Sequence, residues 1–311
     1  MNYAMHNPVE SIAHALFRPM GVGGVYARTA LFEQVIDGLS ALISKYRLPD
    51  TEVFRFPPVM SRAQVEKSGY LKSFPHLLGC VSCLHGTETE IRAVVEASGA
   101  GKEWVGALRA TDLVLAPAAC YPIYPMVAGR RAVPAGGLRF DVTCDCFRHE
   151  STHELGRFQS FRMREYVCVG SPDEVVDFRE QWKTRAKELA VLLALPHQTT
   201  AASDPFFGRA GKMMAVSQVE QELKFELLIP VNSVENPTAC MSFNYHQGHF
   251  GEIWAIETAA GGVAHTACVA FGMDRLGLAV FATHGIDFSK WPLSVREALS
   301  IGPCWAPKIT D

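Results

Sequence analysis

Between Phe147 and Glu165 the chain carries Arg148, Glu150, Arg157, Phe161 and Glu165. A guanidinium presents a planar fork of donors that matches phosphate oxygens, and an aromatic ring offers a face on which a base can stack. The set suits a flat polyanion such as a nucleotide. Ordinary salt bridges among the same side chains are the plainer alternative. Elsewhere Lys224 and Glu226 fall on one face of a strand, and Arg275 follows Asp274. Nine cysteines include Cys80 and Cys83 in a C-x-x-C and Cys144 and Cys146 in a C-x-C. A C-x-x-C can be half of a zinc site, and the C-x-C could supply the other half. Against this, a C-x-C in an alternating strand puts both thiols on one buried face, where cysteine behaves as a small hydrophobe.

These residues need a scaffold. Residues 138–170 read as two strands joined by the polar loop STHELGR. Leu138, Phe140, Val142, Cys144 and Cys146 recur at period two, and the same face continues into Arg148 and Glu150. On the return strand Phe161, Met163 and Glu165 share a face. Upstream, a short helix over Ser11–Phe17 precedes the turn Gly21-Val22-Gly23-Gly24. A long helix from about Thr29 to Tyr46 follows, its apolar residues at helical spacing, and then a strand over 51–56 running into Pro57-Pro58. A helix is expected near Thr87–Ser98. The strand Thr111–Ala116 leads to Cys120, held between Pro117 and Pro122 in a rigid, partly exposed place. Ser171 and Glu174 form a capping box with Pro172 at the first helical position. The helical segment 171–195 buries Val175, Phe178, Trp182, Leu189 and Leu193, while Lys183, Arg185 and Lys187 stay wet; such a charged face could dock an acidic partner. Further strands are expected over Lys212–Val216, Leu223–Pro230, Ile253–Thr258 and Ala264–Val269, and a last helix over Met273–His284, with Gly285 beyond its end.

The totals exclude several classes. With 311 residues, 48% hydrophobic and 20% charged, the chain is an ordinary globular protein that can bury a large core. A net charge of -3 argues against a protein whose main business is nucleic-acid binding. No apolar run reaches the length of a membrane span and no signal-peptide core is present, so a cytoplasmic protein with free thiols is expected. No repeat or linker interrupts residues 1–311, which read as a single domain.

Phe147-Arg148-His149-Glu150, with Arg157, Phe161 and Glu165, resembles motif 2 of the class II aminoacyl-tRNA synthetases. Ala270-Phe271-Gly272-Met273-Asp274-Arg275-Leu276 resembles their motif 3, with Ala270 where the family often has glycine. The long helix feeding a strand that ends in proline is similar to motif 1, which builds a homodimer interface. The resemblance implies an α+β fold, an antiparallel sheet flanked by helices. It implies that Arg148 and Arg275 clamp the phosphates of ATP, with Glu150 and Arg157 assisting, that Phe161 stacks on adenine beside Phe158, and that Lys224 makes another nucleotide contact. Magnesium would be held by a carboxylate such as Glu226 or Glu235.

Cys120, Glu165 and Cys268 narrow the family. The trio resembles the catalytic zinc site of the atypical seryl-tRNA synthetases of methanogens, and more closely that of their shortened relatives, the amino acid:[carrier protein] ligases. In these, two cysteines and a glutamate hold zinc, and the amino group of the substrate takes the open position; Glu165 is thus also a substrate-site residue. Ala239-Cys240-Met241-Ser242 matches a stretch that lines the site in relatives favouring glycine or alanine. With only some thirty residues before the motif 1 helix, no tRNA-binding domain and no tRNA partner are expected. The resemblance therefore implies zinc- and ATP-dependent activation of a small amino acid and its transfer to the phosphopantetheine thiol of a carrier protein. The alternatives are a free-standing synthetase that charges tRNA and an inactive ATP-binding regulatory module.

Overall fold

The computed structural model describes residues 8–130, 132–150 and 154–302. Ser151, Thr152 and His153 of the expected loop lie outside them. The strands run β1 (Phe17–Pro19), β2 (Tyr26–Arg28), β3 (Thr51–Arg55), β4 (Val59–Ser61), β5 (Cys80–Leu84) and β6 (Leu108–Leu115). They continue with β7 (Leu138–Phe147), β8 (Ser160–Gly170), β9 (Gln198–Ala201), β10 (Lys224–Ile229), β11 (Thr238–Gln247) and β12 (His265–Gly272). Seven of them form one sheet in the order β3-β7-β8-β12-β11-β10-β9. All its pairings are antiparallel except the edge pair, where β3 runs parallel to β7. A three-stranded sheet, β4-β6-β5, and a ribbon of β1 and β2 stand beside it. The α+β arrangement expected from the resemblance is thus present.

The large sheet separates two cores. On one side Tyr166, Phe243 and Phe271 pack against Phe32 and Leu39 of the helix Ala30–Ser44, Trp182 of the helix Pro172–Leu192, and Phe281 of the helix Met273–His284. On the other, Phe140, Val142, Cys144 and Cys146 of β7 join Met163, Ile123, Tyr124 and Phe250. Period-two alternation lets β8 serve both cores, Tyr166 and Cys168 facing the first and Met163 and Val167 the second, while β7 gives its apolar face to the second alone. Beneath the first core, Asp141 accepts from both Arg164 (2.8 and 2.6 Å) and Arg47 (2.8 Å). Arg164 also donates to Ser40 O and Ser44 Oγ, tying β8 to the helix Ala30–Ser44.

Several expected elements hold: the Ser171–Glu174 capping box closes in both directions, and the helices Glu88–Gly99 and Met273–His284 form. Three readings are corrected. Residues 212–216 lie inside a helix, Gly208–Glu220, and the segment expected as a strand over 253–258 begins in the helix His249–Trp254. Short apolar runs carry no period that separates strand from helix. Lys183 and Arg185 are half-buried rather than wet. The Lys183 ammonium sits 3.6 Å from the centre of the Phe225 ring and pairs with Glu180, while Arg185 lies over Trp182. Their alkyl stems cover apolar surface, which leaves only Lys187 of the three exposed.

Candidate active site

The cavity-facing side of the sheet carries its functional groups in rows. In register across the strands, Glu165 on β8 pairs with Ala270 on β12, Ala270 with Ser242 on β11, and Ser242 with Glu226 on β10. The next row on that face runs Val167, Cys268, Asn244, Lys224. Residues directly opposite in an antiparallel sheet lie side by side, so strand pairing alone assembles groups distant in sequence. All of these but Val167 line a cavity of about 700 Å³ together with Cys120, Arg148, Glu150, Phe158, Phe161 and Arg275.

Cys120 reaches the row from another layer. β6 ends at Leu115, and the following Pro117–Pro122 turn folds back over the sheet. Glu165 Oε1 accepts from the backbone N–H groups of Ala119 (2.8 Å) and Cys120 (3.1 Å), which fixes the turn against β8. Cys120, Glu165 and Cys268 then present their ligand atoms within 4.8 Å of one another. All three are buried, so Cys120 is not the partly exposed residue expected. Asn244 Nδ2 donates to Cys268 Sγ at 3.3 Å, and His246 Nε2 lies 3.7 Å from the same sulfur. Burial drops the His246 pKa to about 4, leaving a neutral ring whose Nδ1 faces Thr266 Oγ1 at 3.0 Å.

The electrostatics of the trio fit a cation. Burial raises the Glu165 pKa against its hydrogen bonds. The Cys268 thiol is pushed far up by the neighbouring Cys120, burial and the Glu165 charge. For Cys120 a hydrogen bond with Cys268 lowers the pKa, but burial and Glu165 outweigh it. Three acids crowded in a dry site resist ionising together, whereas a divalent metal would stabilise all three anions. Two sulfurs and one carboxylate oxygen are a donor set for zinc with a position left open. The four-cysteine alternative does not form: Cys80 and Cys83 are exposed on β5, whereas Cys144 and Cys146 are buried on β7. All eight described cysteines are free thiols.

The arginines face the same space. Arg148 donates from Nε to Pro117 O (3.0 Å) in the turn that carries Cys120, and its guanidinium stands 5.5 Å from the Phe161 ring centre. Arg275 donates to Gly156 O (2.8 Å) and Ala239 O (3.3 Å), and burial lowers its pKa. Between Gly156 and the Ala239–Ser242 stretch it joins the hairpin to β11. Phe161 is half-buried and available for stacking. Phe158 is a core residue, packed on Phe17 and Tyr26, that shows the cavity only part of its surface. Arg157 is exposed outside the lining, paired with Glu154 (2.8 Å) and Glu150 (3.6 Å). Glu226 lines the cavity but is engaged by Lys224 (2.9 Å); Glu235 is exposed and does not line it.

Sequence reasoning missed Asp204, Asn244, His246 and the acid next to Arg275. Asp274 is buried, and its carboxylate takes Arg28 Nε (2.7 Å), Arg162 Nη2 (2.8 Å) and the Arg162 N–H (2.6 Å). It therefore fixes the start of the helix Met273–His284 against β2 and β8. The 235–250 stretch is dense in hydrogen-bonding side chains, and its sequence carries no signal for which of them face the sulfurs.

No family model matches the chain. It is 61% identical over 297 residues to amino acid–[acyl-carrier-protein] ligase 1 of Bradyrhizobium diazoefficiens, covering 96% of this chain and 91% of that protein. The chain belongs to the amino acid–[acyl-carrier-protein] ligases. A second such ligase of that organism is 59% identical over 295 residues, 95% of this chain and 88% of that one. The type-2 serine–tRNA ligase of Methanopyrus kandleri is 27% identical over 207 residues, 62% of this chain and 38% of its own. Among solved structures, M. kandleri SerRS in complex with A. aeolicus tRNASec matches 94% of the ligase at a TM-score of 0.80 and 21% identity. The seryl-tRNA synthetase of Pyrococcus horikoshii complexed with ATP matches 96% of it at a TM-score of 0.66 and 14% identity. The ligase spans 60% and 64% of those two chains, and they establish its class II catalytic fold. No described helix is long and apolar enough to cross a membrane.

Proposed function

We propose that this ligase, working as one catalytic domain, activates a small amino acid, glycine or alanine, with ATP. It then transfers the aminoacyl group to the phosphopantetheine thiol of a carrier protein. The observation that carries the reading is the buried Cys120, Glu165 and Cys268 cluster opening into the same cavity as Arg148, Phe161 and Arg275. Cys120, Glu165 and Cys268 would hold zinc, which when bound offers its open position to the neutral amine of the amino acid.

The remaining steps are assigned to side chains. Arg148 and Arg275 both line the cavity and would offer fixed donors to phosphate oxygens, and Phe161 would give the adenine a face. Glu226, which lines the cavity, would be the carboxylate that holds magnesium, with Lys224 beside it near the phosphates. The amino-acid carboxylate attacks the α-phosphorus, the bond to the β-phosphate breaks, and pyrophosphate leaves. The carrier thiolate then attacks the carbonyl carbon, forming the thioester and releasing AMP. Positioning and charge stabilisation carry most of the barrier reduction. A second copy of the chain would pack along the helix Ala30–Ser44 and β3, the elements similar to motif 1, in a homodimer.

The test is amino-acid-dependent exchange of pyrophosphate into ATP across a panel, with and without a chelator, followed by thioester formation on pantetheinylated carrier protein beside tRNA. Charging of tRNA alone, or no exchange with any amino acid, would overturn the reading.

A further inference from the structure

One wall of the cavity is lined by the helix Gly208–Glu220, through Met213, Met214, Ser217 and Gln218, and it is thinly held. Gly211 is its only buried residue, while Met213, Val216 and Val219 stand exposed. Besides the packing of Gly211 on Phe206 and a hydrogen bond from Gln247 to Gln221 at its C-terminal end, it is held by polar contacts at Asp204, in the loop after β9. Asp204 Oδ2 accepts from Gln218 Nε2 (2.9 Å), and the Asp204 N–H donates to Gln218 Oε1 (2.7 Å). The loop and the helix are thereby clamped face to face. Asp204 Oδ1 takes the Lys224 ammonium at 2.7 Å, and Lys224 rises from β10 in the row that also holds Asn244 and Cys268. On the far side the same segment is stapled to the opposite wall, where the Phe207 N–H donates to Ser73 O (2.8 Å) and Phe206 stacks on Phe74 at 5.1 Å.

Lys224 is largely buried and lies between two carboxylates, Asp204 and Glu226 at 2.9 Å. A cation so neutralised is a tether as much as a ligand contact. A buried pair of this kind costs desolvation and is sensitive to the loss of either partner, so it specifies geometry more than it adds stability. With few apolar contacts on the helix, the charged tether decides whether the wall is in place.

We propose that Asp204 is a positioning residue. Through Gln218 it holds the helix Gly208–Glu220, and through Lys224 it registers that helix to the sheet row bearing Cys268, so the cavity is walled before substrate arrives. This inference rests on the catalytic reading above for its kinetic consequence and on geometry alone for its structural one. Substrate binding to the tethered enzyme then spends nothing on ordering the wall, which lowers KM without entering the chemical step.

The experiment uses the full-length ligase. Amide hydrogen exchange of residues 208–220 is followed in substrate-free wild type, Asp204→Asn, Gln218→Ala and the charge-keeping Asp204→Glu. Asp204→Asn and Gln218→Ala are expected to speed exchange in that segment by about tenfold or more while the strands of the large sheet stay protected, with Asp204→Glu close to wild type. In pyrophosphate exchange the same two variants raise KM about tenfold and keep kcat within about twofold. Unchanged protection of 208–220 in both variants overturns the inference, as does a fall in kcat with KM unchanged. Absence of exchange in wild type would instead sink the catalytic reading and leave the protection measurement to decide this one.

Discussion

Glu165 and Cys268 stand one row apart on the same face of neighbouring antiparallel strands, Glu165 opposite Ala270 and Cys268 opposite Val167. That diagonal relationship sets two donors side by side without any loop to adjust them. Cys120 is then brought in by a carboxylate oxygen of Glu165 that grips its backbone N–H. The cluster is thus a property of sheet register, and a one-residue slip of either strand would turn its donor to the opposite face.

Removal of one sulfur donor tests the cluster directly. Cys268→Ser is expected to leave the fold intact, since the hydroxyl is smaller and Asn244 can donate to it as it does to the sulfur. Bound zinc, measured by elemental analysis of purified protein, should fall from about one per chain to near zero. Exchange of pyrophosphate should be abolished in parallel. Full zinc content in Cys268→Ser, or wild-type exchange without metal, removes zinc from this site.

The two cavity arginines should behave as transition-state donors. Arg148→Ala and Arg275→Ala are each expected to cost about 2–4 kcal/mol of barrier, seen as a loss of kcat between about thirtyfold and about a thousandfold in the activation step. Lysine at either position should recover little, because each guanidinium also donates to backbone, at Pro117 O and Gly156 O, with a fork that an ammonium lacks. Single-turnover adenylate formation separates this from product release. A loss confined to KM would show that the arginines bind ground state and transition state alike.

How much of this was legible in the sequence depends on range. Alternation along 138–146 and 161–165 could be read because a strand's neighbours on one face are two residues away, so the face carrying Arg148, Glu150 and Glu165 was visible. The meeting of Cys120, Glu165 and Cys268 was not, since no local pattern links a turn after β6 to β8 and β12. It came from the resemblance. The helix Gly208–Glu220 was misread because it buries only Gly211 and so lacks the apolar stripe that marks a helix. Asp204 carries no local signal, because its partners Gln218 and Lys224 are 14 and 20 residues away, beyond the 212–216 segment whose short apolar run reads as a strand.

The ion network under the sheet should matter more for stability than for rate. Asp141→Ala would strand Arg164, only 3% exposed, in the core between the sheet and the helix Ala30–Ser44. Breaking a buried pair from one side costs about 3–5 kcal/mol. Denaturant unfolding should register that loss, while KM for both substrates changes little because Asp141 and Arg164 face away from the cavity. Stability equal to wild type would show that the contacts Arg164 already makes with Ser40 and Ser44 suffice to hold it.

Asp204 and Lys224 also set a pH dependence. Burial alone would raise the Asp204 carboxyl, but Lys224 outweighs it and holds the folded pKa below the ordinary 3.8. A folded pKa below the unfolded one contributes stability that is present above the unfolded value and lost as pH falls through the folded value. Lys224 moves the other way: burial lowers it, Asp204 and Glu226 outweigh burial, and the net rise adds stability present below 10.5 and lost as pH climbs through the folded value. The pair is therefore fully charged across the neutral range. The stability difference between wild type and Asp204→Asn, from denaturant unfolding, is expected to stay level from about pH 5 to about pH 9. It should close as acid titrates Asp204 below 3.8, where the wild-type carboxyl becomes neutral like the amide that replaces it. A difference that instead vanishes near neutrality would mean that the two groups are not paired in the folded enzyme.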